Sequence, residues 1–287
     1  MSKYFSLFQT EAQYQEALTT LDYPNVSLID STGDLHYSVF NGKEVLDAPF
    51  GSILMAEEST GKMFYILPSE YTLDEYPLAT FKPIAVCIFD KESNANDEAV
   101  FLSTQWMTYY QLGYGSPYMT SMTWGFNNIL LSSKVTGIDD TGTNHISSKI
   151  INDAMKPWVT KDYSGSSITD TYEDGESTSF CCCWRFSTPG TSEGDWMLPS
   201  YYDLSKYKLD ASTVNSAFQT IQNVASWGYL SQATGDIWSA TEYVNDTKGM
   251  SYKFTSSTSS PNFLSNWRTD NYMLGVRAVF IPGPREV

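Results

Sequence analysis

Several features that would place this chain in a familiar functional class are scarce. Of its 287 residues only 17 are Lys or Arg, against 33 Asp or Glu, and the formal net charge is −16. The basic residues form no run that could displace counterions from a nucleic acid. The same shortage disfavours attraction to an anionic membrane surface. We therefore expect no nucleic-acid partner, and we interpret the negative charge as an aid to solubility.

Long apolar runs are also missing. A membrane-spanning helix needs about 18 consecutive apolar residues, and no stretch of the sequence approaches this length. The first residues, MSKYFSLFQTEAQYQEAL, lack the apolar core and the small-residue cleavage site of a secretory signal. We expect no membrane insertion, and synthesis and folding in a cytosol.

The cysteine pattern does not suit a disulfide framework or a zinc site. Cys87 stands alone, and Cys181, Cys182 and Cys183 are consecutive. Adjacent cysteines close a disulfide only through a strained ring, and zinc ligands are usually separated by two to four residues. The sequence FCCCW therefore indicates small buried apolar residues.

Catalytic motifs are absent as well. The two histidines are His36 and His145, and no HExxH, Gly-x-Ser-x-Gly, P-loop or Gly-x-Gly-x-x-Gly occurs. A carboxylate pair of the glycosidase type is an open alternative, because four acidic residues lie near aromatic ones. These candidates are Asp195, Asp203, Asp236 and Glu242. We expect no enzymatic activity.

We expect no metal and no cofactor. Calcium is the one alternative left open, because oxygen ligands cluster at three places, although no EF-hand spacing supports it. These places are Asp139-Asp140, Glu173-Asp174 and Asp270-Asn271.

The sequence is rich in apolar and aromatic residues, at 41% and 15%, while only 17% of its residues are charged. Strand-like stretches begin after Phe50, and the apolar run PIAVCIFD predicts a central strand. Two strands joined at Gly61-Lys62 precede this run, and EAVFLS follows it. A hairpin from IWSATEYV to MSYKFTSS and a final strand YMLGVRAVFI are predicted near the end. Residues 104–144, aromatic and glycine-rich, predict long ordered loops.

Helices are predicted at several places. One lies in the first residues, from Thr10 to Leu21, and precedes a hairpin around Thr32-Gly33. NHISSKIINDAMKPW has Ile146, Ile150, Ala154 and Met155 at helical spacing and is closed by Pro157. FCCCWRF is compatible with a helix or a strand. Ser200 with Asp203 forms a capping-box pattern, and a further helix runs from about Ser212 to Trp227. The class is α+β with long loops.

Four segments occur in a fixed order: CCCWRF, GDWMLPSYYDLSKY, IWSATEY and GVRAVF. This order resembles the C-type-lectin-like domains related to formylglycine-generating enzyme. It is most similar to their bacterial and phage members, with W-x-L-P-S, W-S-S-T-E and V-R-x-V motifs. The resemblance extends from about Phe50 to Phe280 and implies a C-type-lectin-like fold for residues 49–287.

The resemblance implies structural roles for the motif residues. Trp196, Leu198 and Pro199 would form core and helix entry, Trp238 and Glu242 the next strand, and Arg277 the closing strand. A buried ion pair between Glu242 and Arg277 is a hypothesis of this comparison. Asp203 stands where the related domains usually have a Glu. The cysteine pair of the formylglycine-generating enzymes and the calcium-ligand signature of animal lectins lack counterparts.

Residues 1–48 resemble N-terminal segments of virion proteins from tailed phages of gut Bacteroidales. This resemblance implies a small attachment and oligomerisation segment that binds other virion proteins. The expected protein is a non-enzymatic head-fibre or tail-associated virion protein, homotrimeric, whose lectin-like domain binds cell-surface or gut glycans. A bacterial cell-surface adhesin, or an oxidase or hydrolase on the same scaffold, is the alternative.

The candidate glycan-binding residues are aromatic and lie in the predicted loops. They are Tyr109, Tyr110, Tyr114, Tyr118, Trp124, Trp267 and Tyr272.

Overall fold

The chain combines α-helices with antiparallel sheets, which confirms the predicted α+β class. The computed structural model describes residues 28–29, 35–36, 39–40, 43–105, 124, 137–139, 143–159, 179–225, 235–242, 248–254, 263–267 and 276–282. None of the helices in these ranges is long and apolar enough to cross a bilayer. The predicted helix from Thr10 to Leu21 lies outside the described residues, as does most of the 104–144 segment.

Three of the described strands have seven to nine residues, and the others have two to five. The strands are β1 (Leu28–Ile29), β2 (Leu35–His36), β3 (Val39–Phe40), β4 (Lys43–Glu44), β5 (Ile53–Glu57), β6 (Met63–Ile66), β7 (Phe81–Phe89), β8 (Val100–Ser103), β9 (Trp196–Met197), β10 (Gly235–Glu242), β11 (Lys248–Phe254), β12 (Phe263–Trp267) and β13 (Val279–Phe280). The α-helices are α1 (Ser148–Val159), α2 (Ser179–Arg185), α3 (Tyr201–Leu209) and α4 (Ala211–Ala225).

The main sheet has six strands in the order β6-β5-β7-β8-β13-β9, and every neighbouring pair is antiparallel. The predicted hairpin at Gly61-Lys62 and the strands at PIAVCIFD and EAVFLS are therefore confirmed. Pro83 lies within β7, where the register with β5 shifts by one residue, so that the proline occupies a bulge. The predicted final strand is shorter than expected, since β13 has only two residues.

Both faces of the main sheet are buried. Along β5, Leu54 and Ala56 contact one cluster of apolar residues, whereas Ile53 and Met55 contact another. This alternation is the period of two that a strand imposes on its side chains. Helices α1 and α2 supply apolar residues to the first cluster, and α3 and α4 supply them to the second. The sheet is consequently a central layer between two helical layers.

Helix α1 corrects the prediction for this segment. It continues through Pro157 to Val159, and it buries Ile151 and Met155, while Ile150 is 45% exposed. The predicted face was counted from Ile146, which lies before the helix begins at Ser148. Ile151 and Met155 are also one helical turn apart. The spacing of apolar residues alone therefore did not show whether their face or the face of Ile150 is buried.

Helix α2 decides the open question about FCCCWRF in favour of a helix. All three of its cysteines and Phe180 are buried, and Cys87 in β7 is buried as well. Successive helical residues point about 100° apart, so three consecutive buried side chains mean burial around most of the helix. Burial raises the pKa of Cys87, Cys182 and Cys183 well above the ordinary thiol value. These thiols are structural, as predicted, because the reactive thiolate is strongly disfavoured.

Helix α4 agrees with the predicted helix near Ser212 and buries Val214, Phe218, Ile221 and Ala225 on one face. Asp210 precedes it and accepts hydrogen bonds from the Thr213 backbone N–H (3.3 Å) and the Thr213 hydroxyl (2.7 Å). These hydrogen bonds lower the pKa of Asp210. The residue is therefore the N-cap of α4.

We expect Asp210→Ala to lower the free energy of unfolding by about 1 kcal/mol at neutral pH, because it removes this cap. The pKa of Asp210 is lower in the folded chain, so its contribution is present above the ordinary Asp pKa and is lost as the pH falls through the folded value. Urea unfolding at neutral and acidic pH measures both effects. Asp210→Asn, which retains a capping oxygen, is the control. Equal stability of Asp210→Ala and the unmodified chain at neutral pH would contradict the capping role.

A second sheet contains β10, β11 and β12 in that order. The predicted hairpin from IWSATEYV to MSYKFTSS is confirmed by the antiparallel pairing of β10 with β11. Strand β12, which pairs with β11, was not predicted, since FLSNW has no alternation of apolar and polar residues.

The predicted attachment segment, residues 1–48, contains two small hairpins among its described residues. Strand β1 pairs antiparallel with β2, as predicted around Thr32-Gly33, and β3 pairs with β4. Strands β3 and β4 both lie against β6, the edge of the main sheet. Val45 and Ala48 are buried in the same cluster as Leu54. The end of this segment therefore belongs to the core, and its independence as a domain stays a prediction.

Candidate functional site

The three motifs that carry the lectin-like resemblance lie against one another. Strand β9, which contains Trp196, pairs with β13 at Phe280, directly after the V-R-A-V motif. The Ala240 backbone N–H donates to the Pro199 carbonyl oxygen over 2.6 Å. The Tyr201 backbone N–H donates to the Thr241 hydroxyl over 2.9 Å. Segments far apart in the sequence therefore form one structural unit.

All six motif residues are buried, and burial was expected for three of them, Trp196, Leu198 and Pro199. The six are Trp196, Leu198, Pro199, Trp238, Glu242 and Arg277.

Trp196 is at the centre of this unit. Its indole Nε1–H donates to the Thr191 hydroxyl over 2.9 Å. Its ring packs edge-on against the Phe186 ring, with the ring centres 5.0 Å apart. Its other neighbour is the Phe280 ring, at 5.7 Å. A buried Trp with its N–H satisfied and its ring fully packed is a structural residue.

Arg277 and Glu242 are both fully buried. The Arg277 guanidinium lies 4.4 Å from the centre of the Phe218 ring, a cation–π geometry. Burial lowers the pKa of Arg277 to about 10, and the charge of Tyr207 acts against this shift. Glu242 donates its backbone N–H to the Ile138 carbonyl oxygen over 2.6 Å. The ion pair between Glu242 and Arg277 stays a prediction.

The structure corrects one of the predicted glycan-binding aromatics. Trp124 is fully buried, its indole N–H donates to the Ser239 carbonyl oxygen over 2.6 Å, and it packs edge-on against Phe180. It is a core residue because β10 and α2 enclose it. Trp267 ends β12, where only its backbone is described. The remaining candidates, Tyr109, Tyr110, Tyr114, Tyr118 and Tyr272, lie outside the described residues.

A buried polar network joins the first turns of α1 and α3. The Asp203 carboxylate oxygen Oδ2 accepts from the Ser148 backbone N–H at 2.6 Å and from the Ser148 hydroxyl. The Ser200 backbone N–H donates to the Ser148 hydroxyl over 2.7 Å. The Ser200 hydroxyl accepts from the Asp203 backbone N–H over 3.1 Å, which confirms Ser200 as the N-cap of α3. The Asp203 side chain thus caps α1 instead of returning to Ser200.

The loop of residues 94–98 lies over this network. The Ala95 backbone N–H donates to the Tyr202 hydroxyl over 2.9 Å, and this hydroxyl donates to Asn94 Oδ1 over 3.3 Å. The Asn94 side-chain amide donates to the Glu98 carbonyl oxygen over 2.8 Å. We call Asn94–Glu98 with the first turns of α1 and α3 the polar junction.

One residue of the polar junction, Asp97, and one residue shortly before α1, His145, have backbone conformations that are uncommon outside glycine. Asp97 has φ of 57° and His145 has φ of 56°. The Asn96 side-chain amide donates to the His145 carbonyl oxygen over 2.8 Å, and the exposed His145 ring lies 5.0 Å from the Tyr202 ring. Left-handed non-glycine residues persist where surrounding contacts hold them, and they are enriched at functional sites.

The carboxyl groups of the junction have perturbed acidity. Burial raises the pKa of Asp203 to about 6, and hydrogen bonds from Ser148 and Ser200 act against this shift. Burial also raises the pKa of Glu98 to about 7, and the charge of Asp203 raises it further. Perturbed acidic residues that cluster in one place are a recognised mark of a functional site.

The junction is poorly suited to nucleophilic or metal chemistry. Ser148 and Asp203 are fully buried, so their hydrogen bond serves helix capping and cannot present a nucleophile to a substrate. The part of the chain that the structure describes contains no group of three or more His, Cys, Asp or Glu placed to hold a metal ion. Of the three predicted calcium clusters, only Asp139 lies in that part, and it is exposed.

Comparison with models of protein families, with characterised proteins and with solved structures yields no significant match for this chain.

Proposed function

We propose that this protein is a non-enzymatic surface protein of a phage particle, with a C-type-lectin-like domain that binds glycans. The observation that carries the proposal is the convergence of the W-x-L-P-S, W-S-x-T-E and V-R-x-V motifs in one buried unit. Trp196 pairs with Phe280, and the Ala240 backbone N–H donates to the Pro199 carbonyl oxygen, so contacts between the motif segments support the resemblance. A fold does not by itself determine a function, so the proposal also rests on charge, thiols and loops.

The four cysteines suit assembly in a reducing cytosol followed by release. Cys87, Cys181, Cys182 and Cys183 are free and buried in a strand and a helix. Such thiols need no oxidising compartment during folding, and their burial protects them after lysis of the host cell. The virion is the proposed location.

Attachment to the particle is assigned to residues 1–48. The end of this segment is fixed to the main sheet through β3, β4 and the buried Val45. Residues 39–48 would therefore connect the proposed attachment segment to the lectin-like domain. The proposed partners are other virion proteins and two further copies of the chain, in a homotrimer.

Glycan binding is assigned to aromatic residues outside the core. With Trp124 removed from this set, the proposal rests on Tyr109, Tyr110, Tyr114, Tyr118, Trp267 and Tyr272. Tyr combines an apolar ring with a polar hydroxyl, which suits contact with a sugar. The low proportion of charged residues favours a neutral ligand over an ionic one.

Immunogold labelling of purified virions tests the location, with antibodies raised against the full-length chain. We expect label on the head or tail of intact particles. Unlabelled particles, together with label on bacterial envelopes, would replace the proposal with that of a bacterial surface adhesin.

A glycan array tests the binding role. We expect the purified full-length protein to retain a defined set of glycans, and Tyr114→Ala or Tyr118→Ala to reduce the signal about tenfold or more, as loss of an aromatic contact does. Leu73→Ala is the matched control, since Leu73 is an exposed apolar residue outside the predicted loops. Equal losses in all three variants, or turnover of an arrayed glycan, would contradict a non-enzymatic binding role for these tyrosines.

A further inference from the structure

The polar junction contains two carboxyl oxygens whose surroundings are incomplete. Asp203 Oδ1 and Glu98 Oε2 are both buried, and neither accepts a hydrogen bond from any group that the structure describes. The other oxygen of Asp203 is held by Ser148. A buried oxygen without a donor is unfavourable when the group is ionised, and it is readily satisfied when a proton is present.

We propose that Glu98 and Asp203 together form a proton-binding switch, and that loss of the bound proton loosens the contact between the 94–98 loop and the first turns of α1 and α3. The two residues lie on different elements, so repulsion between them acts across the junction and not within one helix. The proposed switch is a property additional to glycan binding, and it does not require that the protein binds glycans.

The other charged groups around the pair do not compensate two negative charges. From α1, Lys149 lowers the pKa of Glu98 and Asp153 raises it, so their contributions oppose one another. From α3, the Tyr202 hydroxyl is neutral at physiological pH, because burial raises its pKa above the usual value. The exposed His145 ring lies against the Tyr202 ring, with the ring centres 5.0 Å apart. The junction therefore accommodates one negative charge better than two.

A proton fits this site better than a calcium ion does. Calcium takes six to eight oxygen ligands, and the remaining oxygens of the junction are already engaged. Asn94 Oδ1 accepts from the Asn96 backbone N–H and the Tyr202 hydroxyl, and the Ser148 hydroxyl contacts Asp203 and Ser200. The two carboxyl oxygens without a partner, Asp203 Oδ1 and Glu98 Oε2, are too few for a calcium shell.

The direction of the pH dependence follows from the raised acidities. The pKa of Glu98 rises from 4.5 to about 7 on folding, and that of Asp203 rises from 3.8 to about 6. The folded chain therefore binds more protons than the unfolded chain between these values. The stabilisation is fully present below the unfolded pKa values and is lost as the pH rises through 6 and 7.

The position of the switch connects it to the predicted binding loops. The chain passes from the 106–142 segment, which carries four of the predicted glycan-binding tyrosines, through His145 into the first turn of α1. Asp203 caps this turn directly. Binding or loss of a proton at Glu98 and Asp203 therefore acts close to the point where the chain passes from residues 106–142 into α1.

Hydrogen exchange on the full-length protein tests the switch, at several values from about pH 5.5 to about pH 8, with correction for the intrinsic exchange rate. We expect protection of the amides of residues 95–98 and 148–151 to fall about tenfold or more over this range, as one unit of differential pKa implies. Glu98→Gln should remove most of this dependence, because the amide does not titrate and carries no charge that could repel Asp203 at any pH. Glu92→Gln removes an exposed charge near the loop and should behave like the unmodified chain.

Three results would overturn the proposal. One is protection that does not change with pH in the unmodified chain. Another is an unchanged pH dependence in Glu98→Gln or, where that variant does not fold, in Asp203→Asn. The third is full restoration of protection at about pH 8 by about 1 mM Ca²⁺, which would identify a cation site in place of a proton site.

Discussion

Replacing Trp196 with alanine should lower the free energy of unfolding by about 3–5 kcal/mol, the usual cost of removing a fully buried Trp side chain. The side chain is 1% exposed, and its ring contacts both Phe186 and Phe280. Removing it leaves a cavity between β9, β13 and the turn after α2, which these short strands cannot close. Urea unfolding followed by circular dichroism measures the loss.

Two variants make this prediction specific. Trp184→Ala removes a half-buried Trp and should cause a smaller loss, of about 1–2 kcal/mol, in proportion to the smaller buried area. Thr191→Val removes the acceptor of the Trp196 indole N–H and should cost about 1–2 kcal/mol, because a buried donor loses its partner. If Trp196→Ala were no more destabilising than Trp184→Ala, the motif unit would not be the centre of the core.

Gly190→Ala should lower the free energy of unfolding by about 2–4 kcal/mol. The added methyl group overpacks its surroundings, and alanine disfavours the left-handed backbone conformation of this residue. Gly190 has φ of +82°, and a Cβ atom there would lie 2.1 Å from the Gly61 carbonyl oxygen. The clashing atom belongs to the Gly61 backbone, so rotation of a side chain cannot relieve the contact. Gly190→Ala should therefore separate the turn after α2 from the β5–β6 hairpin, and thermal unfolding would detect the loss.

Gly137→Ala is the matched control for this prediction. Gly137 has nearly the same conformation, with φ of +81°, but its nearest neighbour would be the Ile146 side chain at 3.0 Å. A side chain can move by a few tenths of an ångström, so the cost there should be close to that of the left-handed conformation alone, about 1–2 kcal/mol. Equal losses in the two variants would show that conformation, and not the contact with Gly61, sets the effect.

Local patterns predicted a large part of this fold. The β5–β6 hairpin, the central strand β7, the capped helix α3 and the apolar face of α4 all follow from residues within one turn or one strand. The burial of Trp196 and the position of Trp238 in a strand followed from the resemblance to lectin-like domains. These features depend on residues close together in the sequence or on motifs, and both can be recognised in a single sequence.

The rest depends on contacts between distant segments. Ser200-x-x-Asp203 predicted a helix cap, but nothing in it indicated that the Asp203 carboxylate would cap α1 instead, 55 residues earlier in the sequence. Glu98 gave no signal, because its acidity depends on a loop that reaches Tyr202 across 107 residues. The prediction for Trp124 was wrong for the same reason, since one Trp in an aromatic, glycine-rich segment gives no indication of which distant residues cover it.

The position of β13 in the main sheet has a consequence for synthesis on the ribosome. This strand, Val279–Phe280, inserts between β8 and β9, although it is the last of the described strands to be translated. The four strands between Ile53 and Ser103 are adjacent in the sheet, in the order β6-β5-β7-β8, and they can assemble while the chain is still growing. Trp196 and Met197, however, pair with β13, so β9 joins the sheet only after Val279 and Phe280 have been translated. Until then Trp196 lacks both its backbone pairing with Phe280 and its contact with the Phe280 ring, so about 80 residues must be added to the chain before this part of the core can close.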